Sequence, residues 1–398
     1  MFFALTNSGK SITLLKMTVS EIHQLKKEQP FYCPHCNGEL ILKVGSKKLP
    51  HFAHKYICPV KPEGETAAHL SGKKLLHDWL VAQQLQPKME IYFPDINQRA
   101  DILFYWKKKP FIFEFQCSSI PVNELERRTK AYHQANFTPL WITHQDKIGK
   151  ISNHILSITD YLSFFITNFP QNSEPMILAF HPEKRQFQLI YHFMPISTRK
   201  VLVQQMNIGY QTTLQQLFSF QKPIPQHFFQ YWYIYAEKWL FHLPLYNNAR
   251  RNKFLTFLYQ NNIHPTKLPM EVGVPVPYMI LIETPPIIWQ TYIFLFLFNE
   301  NRGRRYIFLK ELTNYLQKIV KEGLLRFRLT QYSFLANKYM PIKKYLVFLE
   351  NVGLVKLKED KLFVNTSRMT NVHYRKTRQQ SFNQFLEKNR GKILQLFY

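Results

Sequence analysis

Arg99-Ala100-Asp101-Ile102 and Phe113-Glu114-Phe115-Gln116 stand at the two ends of an aromatic, β-branched stretch broken only by Lys107-Lys108-Lys109. Runs rich in Phe, Ile, Leu and Tyr on either side of a short cationic break read as the two strands of a hairpin, Gln98 to Trp106 and Pro110 to Cys117. With Lys107 and Lys108 as the turn, Trp106 pairs with Lys109. Counting down the ladder then sets Asp101 opposite Glu114 and Arg99 opposite Gln116. Directly opposed residues share a face, so this register predicts one polar patch of Arg99, Asp101, Glu114 and Gln116 on an otherwise apolar ribbon. Solvent-facing carboxylates are the plain alternative. Phe111-Ile112-Phe113 and Phe115 argue against it, because they imply a buried face where unpaired carboxylates are costly. Two acids of this kind offer hard oxygen ligands that suit Mg²⁺ or Mn²⁺.

The flanking segments extend the pattern. Glu65, His69 and Lys73 are spaced four apart on a helix expected to run to about Gln86, which puts them on one face. Pro121 begins a second helix carrying Glu124, Arg128 and Tyr132 at the same spacing. Phe137 to Ile142 follows as a buried strand. The predicted order is helix, three strands, helix, strand, an α/β or α+β core.

Upstream, Cys33-Pro34-His35-Cys36 precedes His51-Phe52-Ala53-His54 and Cys58. Two close pairs of thiolates and imidazoles joined by a short loop suit tetrahedral Zn²⁺, with Cys33, Cys36, His51 and His54 as the expected ligands and Cys58 or His35 as substitutes. Such a closed site is structural, stabilising a module too small to hold itself together.

Arg99-Ala100-Asp101-Ile102, Phe113-Glu114-Phe115-Gln116 and His51-Phe52-Ala53-His54 together resemble the competence protein CoiA family, whose nuclease-like domain has a PD-(D/E)xK core. The resemblance implies a restriction-endonuclease-like αβββαβ core in which Asp101 and Glu114 hold the divalent metal and the Phe115 carbonyl completes its shell. It makes Glu65 an accessory acid, and His69, Arg128 and Tyr132 supporting residues. Gln116 stands where many such nucleases have lysine, so Lys73 or Arg99 has to supply the charge. The implied function is DNA processing and recombination of incoming single-stranded DNA in natural transformation, as a metal-dependent nuclease or as a DNA-binding accessory factor. The recombinase is the implied protein partner.

The rest of the composition agrees with a nucleic-acid partner. The 398 residues predict several domains: a hairpin and zinc-finger-like module over 1–60, the nuclease-like domain over 61–170, and a mainly helical basic region over 171–398. The formal charge of +26 favours polyanions, and the 45% hydrophobic fraction excludes general disorder. Four cysteines make no secreted disulfide scaffold at this length, and no signal peptide is apparent, so a cytoplasmic location is expected. The apolar run Ile287 to Phe298 is too short to span a bilayer, and no membrane insertion is expected.

In the C-terminal region, Ser152 to Asn168 and most of Thr198 to Leu243 read as helical, and Met176 to Phe193 as a hairpin. Helices over Leu309 to Glu322 and Ile342 to Asn351, followed by a hairpin around Glu359-Asp360, make 305–365 a candidate DNA-binding unit. The tail from Ser367 to Lys392 has seven Lys or Arg against one acid, with Arg375, Lys376 and Arg378 as candidate phosphate contacts.

Overall fold

The structure is a computed structural model that describes residues 1–45, 48–57, 66–171, 174–246, 252–335, 337–365 and 378–397. The chain divides into two compact units. Met1–Gly149, Phe164–Ile190 and Gln205–Phe220 form the first; Lys150–Ser163, Tyr191–Gln204 and Gln221–Tyr398 form the second.

The first unit opens with a hairpin of β1 (Phe3–Thr6) and β2 (Ser11–Thr13), in which Gly9 adopts the positive φ of 77° that the tight turn needs. Helix α1 (Val19–Leu25) starts at Thr18, whose hydroxyl accepts from the Glu21 N–H while the Glu21 carboxylate returns to Thr18 N. Strands β3 (Phe31–Tyr32), β4 (Glu39–Lys43) and β5 (His51–His54) join the hairpin in a sheet ordered β2-β1-β3-β4-β5.

The predicted central core then follows. Helix α2 (Ala67–Val81) is capped by Thr66 and buries His69, Gly72, Lys73, Leu76 and Leu80, an i, i+3/i+4 stripe. It ends before Gln86. Short strands β6 (Lys88–Met89), β7 (Tyr92–Phe93) and β8 (Gln98–Arg99) lead to β9 (Ile102–Trp106) and β10 (Lys109–Gln116). The β9–β10 turn is Lys107-Lys108, both at positive φ (49° and 64°), and Trp106 pairs with Lys109 as the register predicts. Positive φ at both turn residues matches the twist of a two-residue hairpin. From β10 the chain crosses through α3 (Val122–Gln134) to β11 (Thr138–His144), parallel to β10. A parallel return needs such a crossover helix.

The next elements are β12 (Ile155–Ser157), the short helix α4 (Asp160–Phe164), β13 (Ile177–His181), β14 (Gln186–Pro195) and β15 (Lys200–Gly209). Residues 152–168 are therefore not one helix, and the segment expected to be helical from Thr198 begins as a ten-residue strand. Within the first unit the central sheet is mixed and ordered β13-β11-β10-β9-β6, with β14 paired antiparallel to β13. The architecture is α+β, and α5 (Leu214–Phe218) closes the unit.

The second unit is mainly helical: α6 (Gln226–Tyr246), α7 (Lys253–Gln260), α8 (Pro286–Leu295), α9 (Leu309–Lys321), α10 (Tyr332–Leu335), α11 (Met340–Asn351) and α12 (Arg378–Leu394). A small sheet of β16 (Tyr306–Phe308), β17 (Val355–Lys358) and β18 (Lys361–Val364) accompanies them. The run Ile287 to Phe298 is buried in this unit's core apart from the half-buried Ile288, and no helix among the described residues is long and apolar enough to cross a membrane.

Candidate functional site

On β10, alternate side chains point to opposite faces of the sheet. Phe113 and Phe115 face α2: Trp79 stacks on Phe113, and a Cβ at Gly72 would lie 2.0 Å from the Phe115 ring. Glu114 is on the other face, against α3. Its carboxylate accepts from the Arg128 guanidinium at 2.7 Å and from the Tyr132 hydroxyl, and all three residues are buried. Arg128 and Tyr132, one helical turn apart, thus clamp one oxygen from the same side. Burial alone would lower the Arg128 pKa, but the Glu114 carboxylate holds it above its ordinary value. Burial, then the Glu114 charge, pushes the Tyr132 phenol well up, so it remains a donor.

Asp101 is 3% exposed and precedes β9. Its Oδ2 accepts from the Phe115 backbone N–H at 3.1 Å and lies 3.2 Å from His69 Nε2. Its Oδ1 is 4.0 Å from Lys73 Nζ. Asp101 thus takes its partners from α2 and Glu114 from α3, while the Asp101–Phe115 bond ties the two strands together.

The predicted patch is only partly assembled. The β9–β10 ladder runs to Ile102 opposite Phe113, one step short of Asp101 and Glu114. There the Asp101 side chain, rather than its backbone, engages β10, and the chain diverges: Asp101 O accepts from Glu90 N and Ala100 N donates to Ile91 O. Arg99 consequently pairs with Tyr92 in the β7–β8 ribbon, not with Gln116, and its guanidinium meets Met1 Sδ at 3.6 Å. Gln116 donates from Nε2 to Ser118 O at 2.8 Å and Ser118 Oγ at 3.1 Å. Of the two cations considered for the missing lysine, Lys73 is the one beside Asp101.

Sequence reasoning missed Glu90. It is 2% exposed, sits at φ 56°, and accepts from Lys73 Nζ at 2.6 Å and from Phe2 N at 2.7 Å. An acid inside the apolar run Met89 to Phe93 was the available signal. Gln98 was also missed as a site residue: its Oε1 accepts from Arg128 Nε at 3.1 Å, while its Nε2 is buried without a partner among the described residues. Thr143 Oγ1 is likewise unpartnered, and Thr143 is registered beside Gln116. Orphaned polar atoms next to buried carboxylates are what ordered water or a bound polar group satisfies. Carboxylates are hard oxygen donors of the kind that suits a divalent ion of the Mg²⁺ class, but here Asp101 is engaged from α2 and Glu114 from α3. Glu65 lies outside the described residues.

In the N-terminal sheet, Cys33, Cys36 and His54 bring their ligand atoms within 4.8 Å of one another, the cluster with metal-binding geometry among the described residues. Cys36 Sγ is 3.3 Å from His54 Nε2. Asn37 at φ 58° turns the loop, and Gly38 leaves room, since a Cβ there would meet Cys36 Sγ at 3.3 Å. His51 is not part of this cluster. It is three residues from His54 on one strand, an odd spacing that turns the two side chains to opposite faces, and its Nδ1 is 2.8 Å from Leu49 O. His35 instead packs on Tyr92 of the central core, ring centroids 5.2 Å apart; burial and then the Arg99 charge lower its pKa to about 4. Cys58, Arg375 and Lys376 lie outside the described residues, as does the Arg378 side chain.

Comparison with known proteins gives these two sites a context. Three family profiles match in chain order: competence protein CoiA N-terminal domain over residues 14–61, nuclease-like domain over 65–222, and C-terminal domain over 228–379. The chain belongs to the competence protein CoiA family. It is 29% identical over 278 residues to the competence protein CoiA of Bacillus subtilis (strain 168), an alignment covering 69% of this chain and 74% of that protein. No solved structure matches significantly. The core of α2, β6, β9, β10, α3 and β11 is therefore the nuclease-like domain of a CoiA-family chain, and Asp101 and Glu114 lie at its centre.

Proposed function

We propose that this CoiA-family chain is a cytoplasmic, divalent-metal-dependent DNA nuclease that processes incoming single-stranded DNA during natural transformation, at the stage where a recombinase inserts it into the chromosome. The observation that carries the reading is the pair of buried carboxylates, Asp101 and Glu114, with Lys73 4.0 Å from Asp101. Asp101, Glu114 and the Phe115 carbonyl would hold Mg²⁺ or Mn²⁺, with Glu65 as the accessory acid. A metal there supplies Lewis acidity and a water of lowered pKa.

The chain's own residues do the rest. Arg128 and Tyr132 fix the Glu114 carboxylate in one orientation. Lys73, itself held by Glu90, provides the positive charge that Gln116 cannot, stabilising charge that develops on the phosphate as water adds and the ester P–O bond breaks. His69 orients Asp101 from the same helix face.

The Cys33/Cys36/His54 cluster is proposed to hold structural Zn²⁺, with Cys58 as the fourth ligand. Soft thiolates and imidazole favour zinc over the hard cations of the other site.

A second reading, a nuclease-like platform that binds DNA and assists strand exchange without cleaving, is favoured by one observation: Gln116 turns its amide to Ser118 instead of toward the carboxylates' partners. Cleavage of labelled single- and double-stranded DNA with Mg²⁺ or Mn²⁺, with binding recorded in parallel, separates the two. The nuclease reading expects cleavage by the unaltered chain and at least about a hundredfold loss in Glu114→Ala and in Lys73→Met, with DNA affinity retained. No cleavage by any form, with equal binding, overturns it in favour of the platform.

A further inference from the structure

Residues 286–364 of the second unit follow a topology that the nuclease-like site does not use. Helix α8 continues through a π-turn to Glu300; β16 leads directly into α9; the single-turn α10 and then α11 follow; and β17 and β18 close as a hairpin. The first strand pairs with the last, Ile307 opposite Leu362, and β18 also pairs with β17, Leu357 opposite Leu362, giving the sheet order β16-β18-β17. Helix, strand, helix, helix and a hairpin returning beside the first strand is the winged-helix arrangement. In it the last helix is presented to a duplex groove and the hairpin is the wing.

Packing supports that assignment. One face of α11 is committed to the core through Ile342, Tyr345, Phe348 and Leu349, with Trp289 of α8 edge-on to Tyr345 at 5.5 Å. On α9, Leu312, Leu316 and Ile319 are buried in the same core. The opposite face of α11 carries Lys343, Val347 and Glu350, all exposed and spaced as one stripe. Glu350 is not a free acid on that stripe, because its Oε1 accepts from Leu357 N and so ties the wing to the helix.

Charge follows the same geometry. The stretch 302–364 holds fourteen Lys or Arg against five Asp or Glu, an excess of nine positive charges. Arg304 is consumed by Glu311 in a two-pronged ion pair. Lys343 on α11 and Lys356 and Lys358 on the wing are exposed and make no ion pair among the described residues. One unpaired cation on the exposed face of α11 and two on the adjoining ribbon are what a phosphate backbone neutralises, and an exposed helix beside such a ribbon fits a major groove. The acidic tip, Glu359-Asp360, follows Lys358 at the turn of the wing and opposes the wing lysines.

We propose that residues 286–364 are a winged-helix unit that binds duplex DNA, with α11 in the major groove and Lys356 and Lys358 of the wing on the phosphates. This is a second nucleic-acid site, separate from Asp101 and Glu114 in its residues and in its preferred ligand, and it does not rest on the nuclease reading. A CoiA-family chain with such a unit would hold the recipient duplex while its other site acts on a strand.

The test uses the full chain and fluorescence anisotropy on a labelled duplex of about 20 base pairs and its single strand, across about 50–200 mM salt. Lys343→Glu/Lys356→Glu/Lys358→Glu is expected to weaken duplex binding about tenfold or more and to flatten the log–log salt slope by roughly two to three, with single-strand binding changed less. Asp360→Lys, at the exposed tip, is expected to tighten duplex binding severalfold, a gain that misfolding cannot produce. Unchanged duplex affinity in both variants overturns the proposal. So does equal loss on duplex and single strand, or loss confined to anionic phosphatidylglycerol vesicles with duplex binding intact.

Discussion

Glu114 has about 1% of its surface exposed, and Arg128 and Tyr132 reach its carboxylate from adjacent turns of α3. Removing one partner of a buried pair leaves the other charge uncompensated, which costs about 3–5 kcal/mol. Arg128→Met is accordingly expected to destabilise the first unit by about that amount, and Tyr132→Phe by about 1–3 kcal/mol for one lost bond to a charged acceptor; urea unfolding measures both. Cys117, next to Gln116, gives a second residue-scale prediction. Burial, and then the Asp101 charge, pushes its thiol up to about 12 from 9.0. A thiol whose folded pKa is raised contributes stability that is complete below pH 9 and is lost as pH rises through about 12. At pH 9, iodoacetamide should therefore label Cys117 in the folded chain at least about tenfold more slowly than in urea, and Asp101→Asn should narrow the gap. Equal rates would show that the thiolate forms freely beside Asp101. At this scale the carboxylates, Lys73, Arg128 and Tyr132 were legible as residue types at helical and strand spacing. Glu90 was not, because its role comes from a left-handed backbone position and a bond to Phe2 that no local pattern encodes.

Among the elements, the contact between α2 and β10 sets the depth of the site. Gly72 lets the helix lie directly on the Phe115 ring, and that ring is itself only 1% exposed, so it has nowhere to go. Gly72→Ala adds a Cβ at 2.0 Å from the ring and must push α2 away, although alanine is the better helix former. Overpacking of this kind costs typically about 1–3 kcal/mol. It should also move His69 and Lys73 away from Asp101, lowering any metal-dependent turnover more than stability. Phe115→Leu in the same chain should recover part of both losses; independent, additive losses in a double-mutant cycle would show that the two residues do not share this contact. The helices α2 and α3 were legible from residues four apart on one face, and β9, β10 and β11 as continuous apolar, aromatic runs bounded by turn signals rather than by alternation. The sequence misled at 152–168 and at β15. In β15, Val201, Leu202 and Val203 are all buried, so the alternation that marks a strand appears only beyond them.

At the scale of the molecule, the N-terminal sheet and the nuclease-like core belong to one compact unit. The sheet reaches the site through its own residues: Phe2 N donates to the Glu90 carboxylate that holds Lys73, Met1 Sδ meets Arg99, and His35, between Cys33 and Cys36, packs on Tyr92. Metal bound by Cys33, Cys36 and His54 would fix the loop that carries His35, so its binding energy would act on the core as well as on the small sheet. Stripping that metal with 1,10-phenanthroline should therefore raise amide hydrogen exchange not only over 31–57 but also along 88–116, with α8 and α11 of the second unit as the internal reference. Cys36→Ser should reproduce the effect, and Cys58→Ser should as well if it supplies the fourth ligand. His51→Asn should leave bound metal unchanged, because His51 faces away from the cluster toward Leu49 O. A rise in exchange that stops at residue 57 would make the N-terminal module an independent bead. A rise that reaches Asp101 and Glu114 would make its metal part of what holds the carboxylates and Lys73 in place.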